Sequence, residues 1–199
     1  MSDSFWDARY GEPGFAYGDA PNDFLASVVD RLTPGPALCL AEGEGRNAVF
    51  LAERGFEVTA VDQSRVGLRK AEALAAQRGV KLRTVVADLA HYVPAAQAYH
   101  AVVLIWCHLP PSLRRTVHAA AVAALRPGGA VVLEAYSPAQ LALGTGGPRS
   151  AELMFTLAEL REDFAGIELA VAEEKQRHVH EGRYHDGPSA VVQVLGFRR

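Results

Sequence analysis

The stretch Leu38-Cys39-Leu40-Ala41-Glu42-Gly43-Glu44-Gly45-Arg46-Asn47-Ala48-Val49-Phe50-Leu51, continued through Ala52-Glu53-Arg54-Gly55-Phe56-Glu57-Val58-Thr59-Ala60-Val61 to Asp62, decides the fold. Its opening apolar run, behind Pro36, is short and unalternated, as in a strand covered on both faces. Gly43 and Gly45 follow at once, so the backbone can come close to a ligand and a helix can start beneath it. The helix predicted from about Arg46 to Arg54 stops at Gly55, a good residue for the position after a C-cap. Phe56 to Val61 is a second strand, with Asp62 at its carboxyl end. In open α/β sheets ligands bind outside those ends, and an acid there suits the two hydroxyls of a ribose. The stretch therefore predicts a site for an adenosine-like cofactor.

Gly43-x-Gly45-x-x-Ala48 also fits the dinucleotide pattern, and Asp62 follows at close to the ~20-residue spacing that pattern has. The words around it point elsewhere. Leu40-Ala41-Glu42-Gly43-Glu44-Gly45-Arg46-Asn47, Ala60-Val61-Asp62-Gln63-Ser64, Val86-Ala87-Asp88-Leu89 and Leu125-Arg126-Pro127-Gly128-Gly129 occur in this order. The succession resembles class I S-adenosylmethionine (SAM)-dependent methyltransferases. The opening, Phe5-Trp6-Asp7-x-x-Tyr10 and Tyr17-Gly18-x-x-Pro21-Asn22, resembles their tellurite-resistance and thiopurine-type branch. The resemblance implies a Rossmann-like, doubly wound, seven-stranded mixed sheet with its last strand antiparallel and helices on both faces. It implies SAM as cofactor, S-adenosylhomocysteine as product, and a small-molecule acceptor such as a thiol or a chalcogen oxyanion. It also implies donor contacts from Trp6 and Tyr17, from Ala41, Glu42, Gly43, Glu44 and Gly45, from Asp62, Gln63 and Ser64, from Ala87, Asp88 and Leu89, and from Ile105.

Two positions depart from the family pattern. Aligned on its acid-x-Gly-x-Gly-x-Gly, this chain has Cys39 at the acid and Ala41 at the first glycine. A thiol cannot take a strong charge-assisted hydrogen bond from the donor's amino group. Glu42 or Glu44 is the substitute expected, the alternative being that both face solvent. Asp88 matches the family's adenine acceptor, or else caps a turn.

One domain, 1–199, with residues 1–22 as an N-terminal lid or an aromatic patch on the sheet, suits the chain's 199 residues. The apolar fraction of 49% is that of an ordinary globular protein. A net charge of −3 offers no basic field, so no nucleic acid is expected as partner. The longest apolar runs, Ala101–Cys107 and Ala119–Leu125, fall far short of the ~20 residues that cross a bilayer. No signal peptide is read. Cys39 and Cys107, both in apolar strand patterns, read as buried thiols of a cytoplasmic protein. Oligomeric state carries no signal.

Beyond Asp62, Ser64 reads as the N-cap of a helix to about Gln77. Strands follow at Leu82–Ala87, Tyr99–Trp106 and Ala130–Tyr136, with a helix from about Ser112 to Leu125. Glu152 to Phe164 reads as a helix. Ile167–Val179 and Ser189–Phe197 read as a closing β pair, turning near Asp186-Gly187-Pro188. Ala139 to Arg149, rich in glycine, reads as a mobile loop over the acceptor or a slack surface loop. For the acceptor side, His108 at a strand's carboxyl end is the leading catalytic candidate, or a cap of the following turn. Arg177, His178 and Arg183 compare loosely with basic and histidine residues of the tellurite-type relatives, and Tyr136, Glu181 and His185 complete the candidates. His178-x-His180 with His185 lacks a third-ligand spacing, so no metal is expected. The rivals are an NAD(P)-dependent oxidoreductase and a non-catalytic SAM-binding protein. No tyrosine here has a lysine four positions later, so short-chain dehydrogenase chemistry lacks its pair.

Overall fold

The computed structural model describes residues 3–199, so Met1 and Ser2 of the expected lid lie outside it. In chain order the elements are α1 (Asp3–Tyr10), α2 (Asp23–Val28), β1 (Pro36–Leu40), α3 (Arg46–Glu53), β2 (Glu57–Asp62), α4 (Arg65–Gln77) and β3 (Arg83–Val86). Then come β4 (Tyr99–Ile105), α5 (Pro111–Ala124), β5 (Leu125–Tyr136), α6 (Leu157–Asp163), β6 (Ile167–His180) and β7 (Asp186–Arg198). The seven strands form one sheet in the order β3-β2-β1-β4-β5-β7-β6. Every pair through β5 is parallel, and β7 runs antiparallel to both neighbours. The expected mixed, doubly wound sheet is what the chain forms.

Alternation along the strands divides the core in two. Ala37, Cys39, Ala101, Val103, Ala130 and Val132 face α2 and α3, with Phe24, Leu25 and Leu51 packed on them. Leu38, Leu40, Val102, Leu104, Val131 and Leu133 face α5 and α6 through Val117, Ala121, Leu160 and Phe164. Both faces of each central strand are apolar, which is why those strands read as continuous runs. The order reverses between β1 and β4, so the crevice for a ligand opens at their carboxyl ends beside β2.

Three expected elements differ. The helix expected over 152–164 is a 3₁₀ turn, Ala151–Leu153, followed by α6. Thr156 and Glu159 form a reciprocal capping box that starts the helix only there, and Phe155 is buried just ahead of it. Asp186-Gly187-Pro188 is not the terminal turn but the start of β7, with Pro188 opposite His178 where β5 has already ended. The turn is Glu181 to His185. Finally, β5 begins at Leu125, and a register shift between Tyr99 and Ala101 of β4 absorbs Arg126 to Gly129.

Candidate active site

The glycine loop leaves β1 through Ala41, which takes a left-handed φ of 53° where the family has glycine. Gly43 and Gly45 are left-handed too, at 62° and 90°. Gly45 is the N-cap of α3 and has no side chain to satisfy the helix's first N–H groups. Glu42 does it instead: its Oε1 accepts from Asn47 N (3.0 Å) and Ala48 N (2.8 Å). Burial still pushes this carboxyl up to about 7, against those bonds and the Arg46 charge. The Cys39 thiol is raised by burial and, further, by the neighbouring Glu42 carboxylate. Glu44 also turns inward. Its Oε2 accepts from Ala16 N at 2.7 Å and its Oε1 pairs with Lys70 at 2.8 Å. Neither glutamate faces solvent, which corrects one of the two expectations.

Asp62, at the tip of β2, braces the loop. Its Oδ2 accepts from Gly43 N (2.9 Å) and its Oδ1 from Ser64 N (2.8 Å), and burial raises its pKa. Ser64 caps α4 by accepting from Gly67 N, and donates its own hydroxyl to Asp7 of α1 at 2.5 Å. Gln63 lies between them. Ala87 N donates to Asp62 O, so the end of β3 is held beside the acid. Asp88, further out, accepts from Ala90 N and caps the turn through residue 92. Leu89 packs on the core facing α5, and Ile105 ends β4 buried on the opposite face.

The N-terminal segment roofs this loop. Tyr10, 5% exposed, lies over Gly43, where a Cβ would come within 2.6 Å of its hydroxyl. Trp6 stacks on Tyr10 at 5.4 Å, and Tyr17 meets Tyr10 edge-on. Lys70 reaches up to Glu12 O and Gly14 O, so one ammonium ties α4 to the roof and to Glu44. Lys70 carried no signal in the sequence beyond its place on α4.

At the carboxyl ends of β4 and β5 four buried charges balance. Glu134, wholly buried, accepts from Arg177 Nε (2.8 Å) and NH2 (2.7 Å), Gln193 (2.6 Å) and Asn22 (2.5 Å). Glu181 accepts from Arg46 (2.5 Å), Trp106 Nε1 (2.6 Å), Asn22 (2.9 Å) and Arg177 (3.0 Å). Burial alone would raise the Glu181 carboxyl, but the Arg46 charge and these donors hold it below the usual range. The β6–β7 turn that carries Glu181 lands on the roof: Arg183 N donates to Ala16 O, Arg183 pairs with Glu12, and Tyr184 OH donates to Glu12. Arg183 is thus a clasp between turn and roof.

His108 is braced on both ring nitrogens. Nδ1 donates to Leu153 O at 2.8 Å and Nε2 accepts from Tyr136 N at 3.3 Å. Burial lowers its pKa to about 4. With no lone pair free, it holds the 3₁₀ turn against β5, and the catalytic role expected of it finds no support in this geometry. His178 sits exposed on the edge strand, on the face opposite Arg177, and is not brought to the site. His185, which ranked behind both, is central. Its ring lies 4.6 Å from Tyr17, 4.9 Å from Trp106 and 5.2 Å from Tyr136.

Residues 37–129 match the family model described as a methyltransferase domain. The chain carries a methyltransferase domain. Its methyl donor is S-adenosylmethionine. No curated protein matches the sequence. Among solved structures, the methyltransferase is similar to a protein described for the conversion of a disulfide bond into a thioacetal group during echinomycin biosynthesis. That match has a TM-score of 0.77 and 22% identity, over 98% of this chain and 92% of the other. TehB from Haemophilus influenzae matches with a TM-score of 0.74 and 15% identity, over 99% and 67%. The magnesium protoporphyrin IX methyltransferase ChlM from Synechocystis PCC 6803, solved with bound S-adenosylhomocysteine, matches with 0.66 and 17%, over 88% and 80%. At these identities the neighbours speak for the fold. Among the described residues no helix is long and apolar enough to cross a membrane.

Proposed function

We propose that the methyltransferase acts on a small-molecule acceptor, a thiol or a chalcogen oxyanion, in the cytoplasm. The observation that carries the donor half is the glycine loop at the end of β1, clamped to Asp62 at the end of β2 and roofed by α1. The residues present suit the donor. Gly43 lies bare beneath the Tyr10 hydroxyl, where a Cβ would come within 2.6 Å, and Gly45 lets the loop pack on Ala71 of α4, so the turn keeps the tight course that brings its backbone to the strand ends. We assign the donor's ribose to Asp62, its flanks to Gln63 and Ser64, and its base to the Ala87-Asp88-Leu89 corner and Ile105. Trp6 and Tyr17 cover it with aromatic faces suited to a sulfonium.

When bound, S-adenosylmethionine would supply an electrophilic methyl on positive sulfur for transfer to a lone pair of the acceptor, with the carbon–sulfur electron pair left on sulfur and any acceptor proton passed to solvent. The chain's part is to bind, align and exclude water. The roof and the Glu181 turn close over the strand ends, and the charge-balanced network fixes β5, β6 and α3 around them.

Calorimetric titration with S-adenosylhomocysteine beside NAD⁺ tests this reading. Micromolar or tighter binding of S-adenosylhomocysteine alone is expected, with loss on Asp62→Ala. Binding of NAD⁺ instead overturns it, and donor binding without turnover on thiols or oxyanions leaves a donor-binding protein.

A further inference from the structure

We propose that the aromatic box of Tyr17, Trp106, Tyr136 and His185 is the acceptor site, and that it takes an uncharged, ring-bearing molecule presenting an O–H, N–H or S–H group to Tyr136 and His185. This rests on the methyl-transfer reading above, sets its oxyanion class aside and widens its thiol class to hydroxyl and amine acceptors.

Placement is the first ground. Trp106 follows β4 and Tyr136 ends β5, at the edge of the sheet where the donor loop lies. Trp106 takes a φ of 55° there, unusual for a bulky residue, and its indole N–H is held by Glu181. Its ring stacks on Tyr136 at 4.4 Å, and His185 stands edge-on to both. The rings pack on one another, so a flat acceptor enters by parting them and meets aromatic faces where they separate.

Unmet hydrogen bonding is the second ground. The Tyr136 hydroxyl, although Ser189 lies close enough to bear on it electrostatically, makes no well-formed hydrogen bond, and neither does His185 Nδ1. His185 is only 6% exposed. Leaving a buried polar atom unpaired costs roughly 1–3 kcal/mol, so two in one cluster call for a partner. The third such atom among the described residues, His118 Nε2, packs against Phe155 and Phe164 in the core between α5 and α6 and opens on no strand end.

Charge is the third. Around the box the cations are already engaged: Arg46 and Arg177 by Glu134 and Glu181, Arg183 by Glu12. Arg9 donates to the Tyr17 hydroxyl and lies 3.6 Å over the Tyr184 ring. Burial drives the His185 imidazole down to about 3; Glu181 pulls it up, while Arg46, His108 and Arg9 push it down further, so it is neutral. An oxyanion entering here would lose its water and find Arg46, Arg177 and Arg183 already paired with carboxylates, with Arg9 turned onto the Tyr17 hydroxyl and the Tyr184 ring. A hydroxyl, amine or thiol loses far less and finds two groups that can each donate or accept.

The cover is the Gly144–Gly147 segment. A Cβ on Gly146 would lie 2.6 Å from the Tyr136 hydroxyl and 3.0 Å from the His185 ring, so both rings converge beneath it. Thr145 clasps it down, donating to Pro188 O at 2.5 Å and accepting from Gln140 at 2.9 Å. Loosening that clasp uncovers the Tyr136 hydroxyl and the His185 ring.

The test uses the protein with S-adenosylhomocysteine bound, titrated with phenylmethanethiol and 4-methylphenol against selenite and phosphate, followed by calorimetry and tryptophan fluorescence. The uncharged ring compounds are expected to bind. Tyr136→Phe and His185→Phe should each weaken them about tenfold with S-adenosylhomocysteine affinity unchanged. Tyr136→Phe should melt no lower than the parent, which separates lost recognition from lost folding. Thr145→Val should speed association of the ring compounds. Binding of the oxyanions in their place, no binding of either class, or unchanged affinity in both ring variants overturns the assignment. Failure of S-adenosylhomocysteine itself to bind is a different result, which removes the donor reading.

Discussion

Replacing Arg177 with methionine removes one charge from a balanced set of four and keeps most of the side chain's bulk. Arg177 grips both oxygens of Glu134, at 2.8 and 2.7 Å, and one of Glu181 at 3.0 Å. Its contact with Asp23, a side chain 75% exposed, adds little. Glu134 would keep only the amides of Gln193 and Asn22, in a place with no solvent. Breaking a buried pair from one side costs about 3–5 kcal/mol. At roughly 2–4 °C per kcal/mol for a chain of this size, the melting temperature should fall by about 6–20 °C. Adding Glu134→Gln to Arg177→Met removes the stranded charge and should recover most of the loss, since a missing buried pair costs far less than a broken one. Urea unfolding followed by circular dichroism, with the two single variants and the double, gives the cycle. A single-variant cost below about 1 kcal/mol, or a double variant no more stable than Arg177→Met, would refute the idea that these charges hold β5, β6 and the Glu181 turn together.

Three further outcomes are expected. Glu42→Gln keeps the acceptor for Asn47 and Ala48 but cannot ionise; because the folded carboxyl is raised to about 7, the parent loses stability as pH rises through that value. The variant should therefore gain on the parent between about pH 4.5 and 7 in paired melts and hold that gain above pH 7, and a gap that does not widen over that range refutes the inward placement of Glu42. His108 and His185 are lowered to about 4 and about 3 by burial, so the unfolded chain takes up protons first. Stability should drop as pH falls from about 6.5 towards 4, and His108→Gln with His185→Phe should flatten that slope. Ala41→Gly relieves a left-handed alanine worth about 1–2 kcal/mol and gives back up to ~1 through unfolded-chain entropy. It should be neutral to mildly stabilising in urea titrations, whereas Ala121→Gly in α5 should cost about 1 kcal/mol or more.

What could be read from the residues was what is local. The strand–loop–helix–strand unit from Pro36 to Asp62 announces itself through glycine positions and apolar runs that need no distant partner. Ser64 as a cap and Gly55 as a stop belong to the same kind of signal. The charge network does not. Asn22 meets Glu181 across 159 positions and Glu134 across 112, and no periodicity ties such residues together. One clue was present: Glu134 interrupts Ala130-Val131-Val132-Leu133, a strand apolar on both faces, and an acid there needs buried partners. The solvent-facing alternative for Glu42 and Glu44 stood open in the sequence because a loop carboxylate has no pattern that shows which way it turns. His108 outranked His185 for a similar reason. Position at a strand's end is legible, whereas the backbone groups that saturate both nitrogens of His108 come from Leu153 and Tyr136, far along the chain.

The position of β7 has a consequence for how the molecule assembles. It is the last strand in sequence yet lies between β5 and β6, antiparallel to both. Until it arrives, β5 offers an unpaired, strongly apolar border and β6 has nothing to pair with, so the nascent chain carries an open sheet edge during synthesis. The same late event brings the Glu181 turn onto Ala16 and Glu12, joining segments made at widely separated times. Folding should thus proceed from a preformed β1–α3–β2–α4 half to a slow, non-local closure in which sheet and active site are completed together. Variants that weaken β7 should then accumulate as aggregates rather than as inactive soluble monomers.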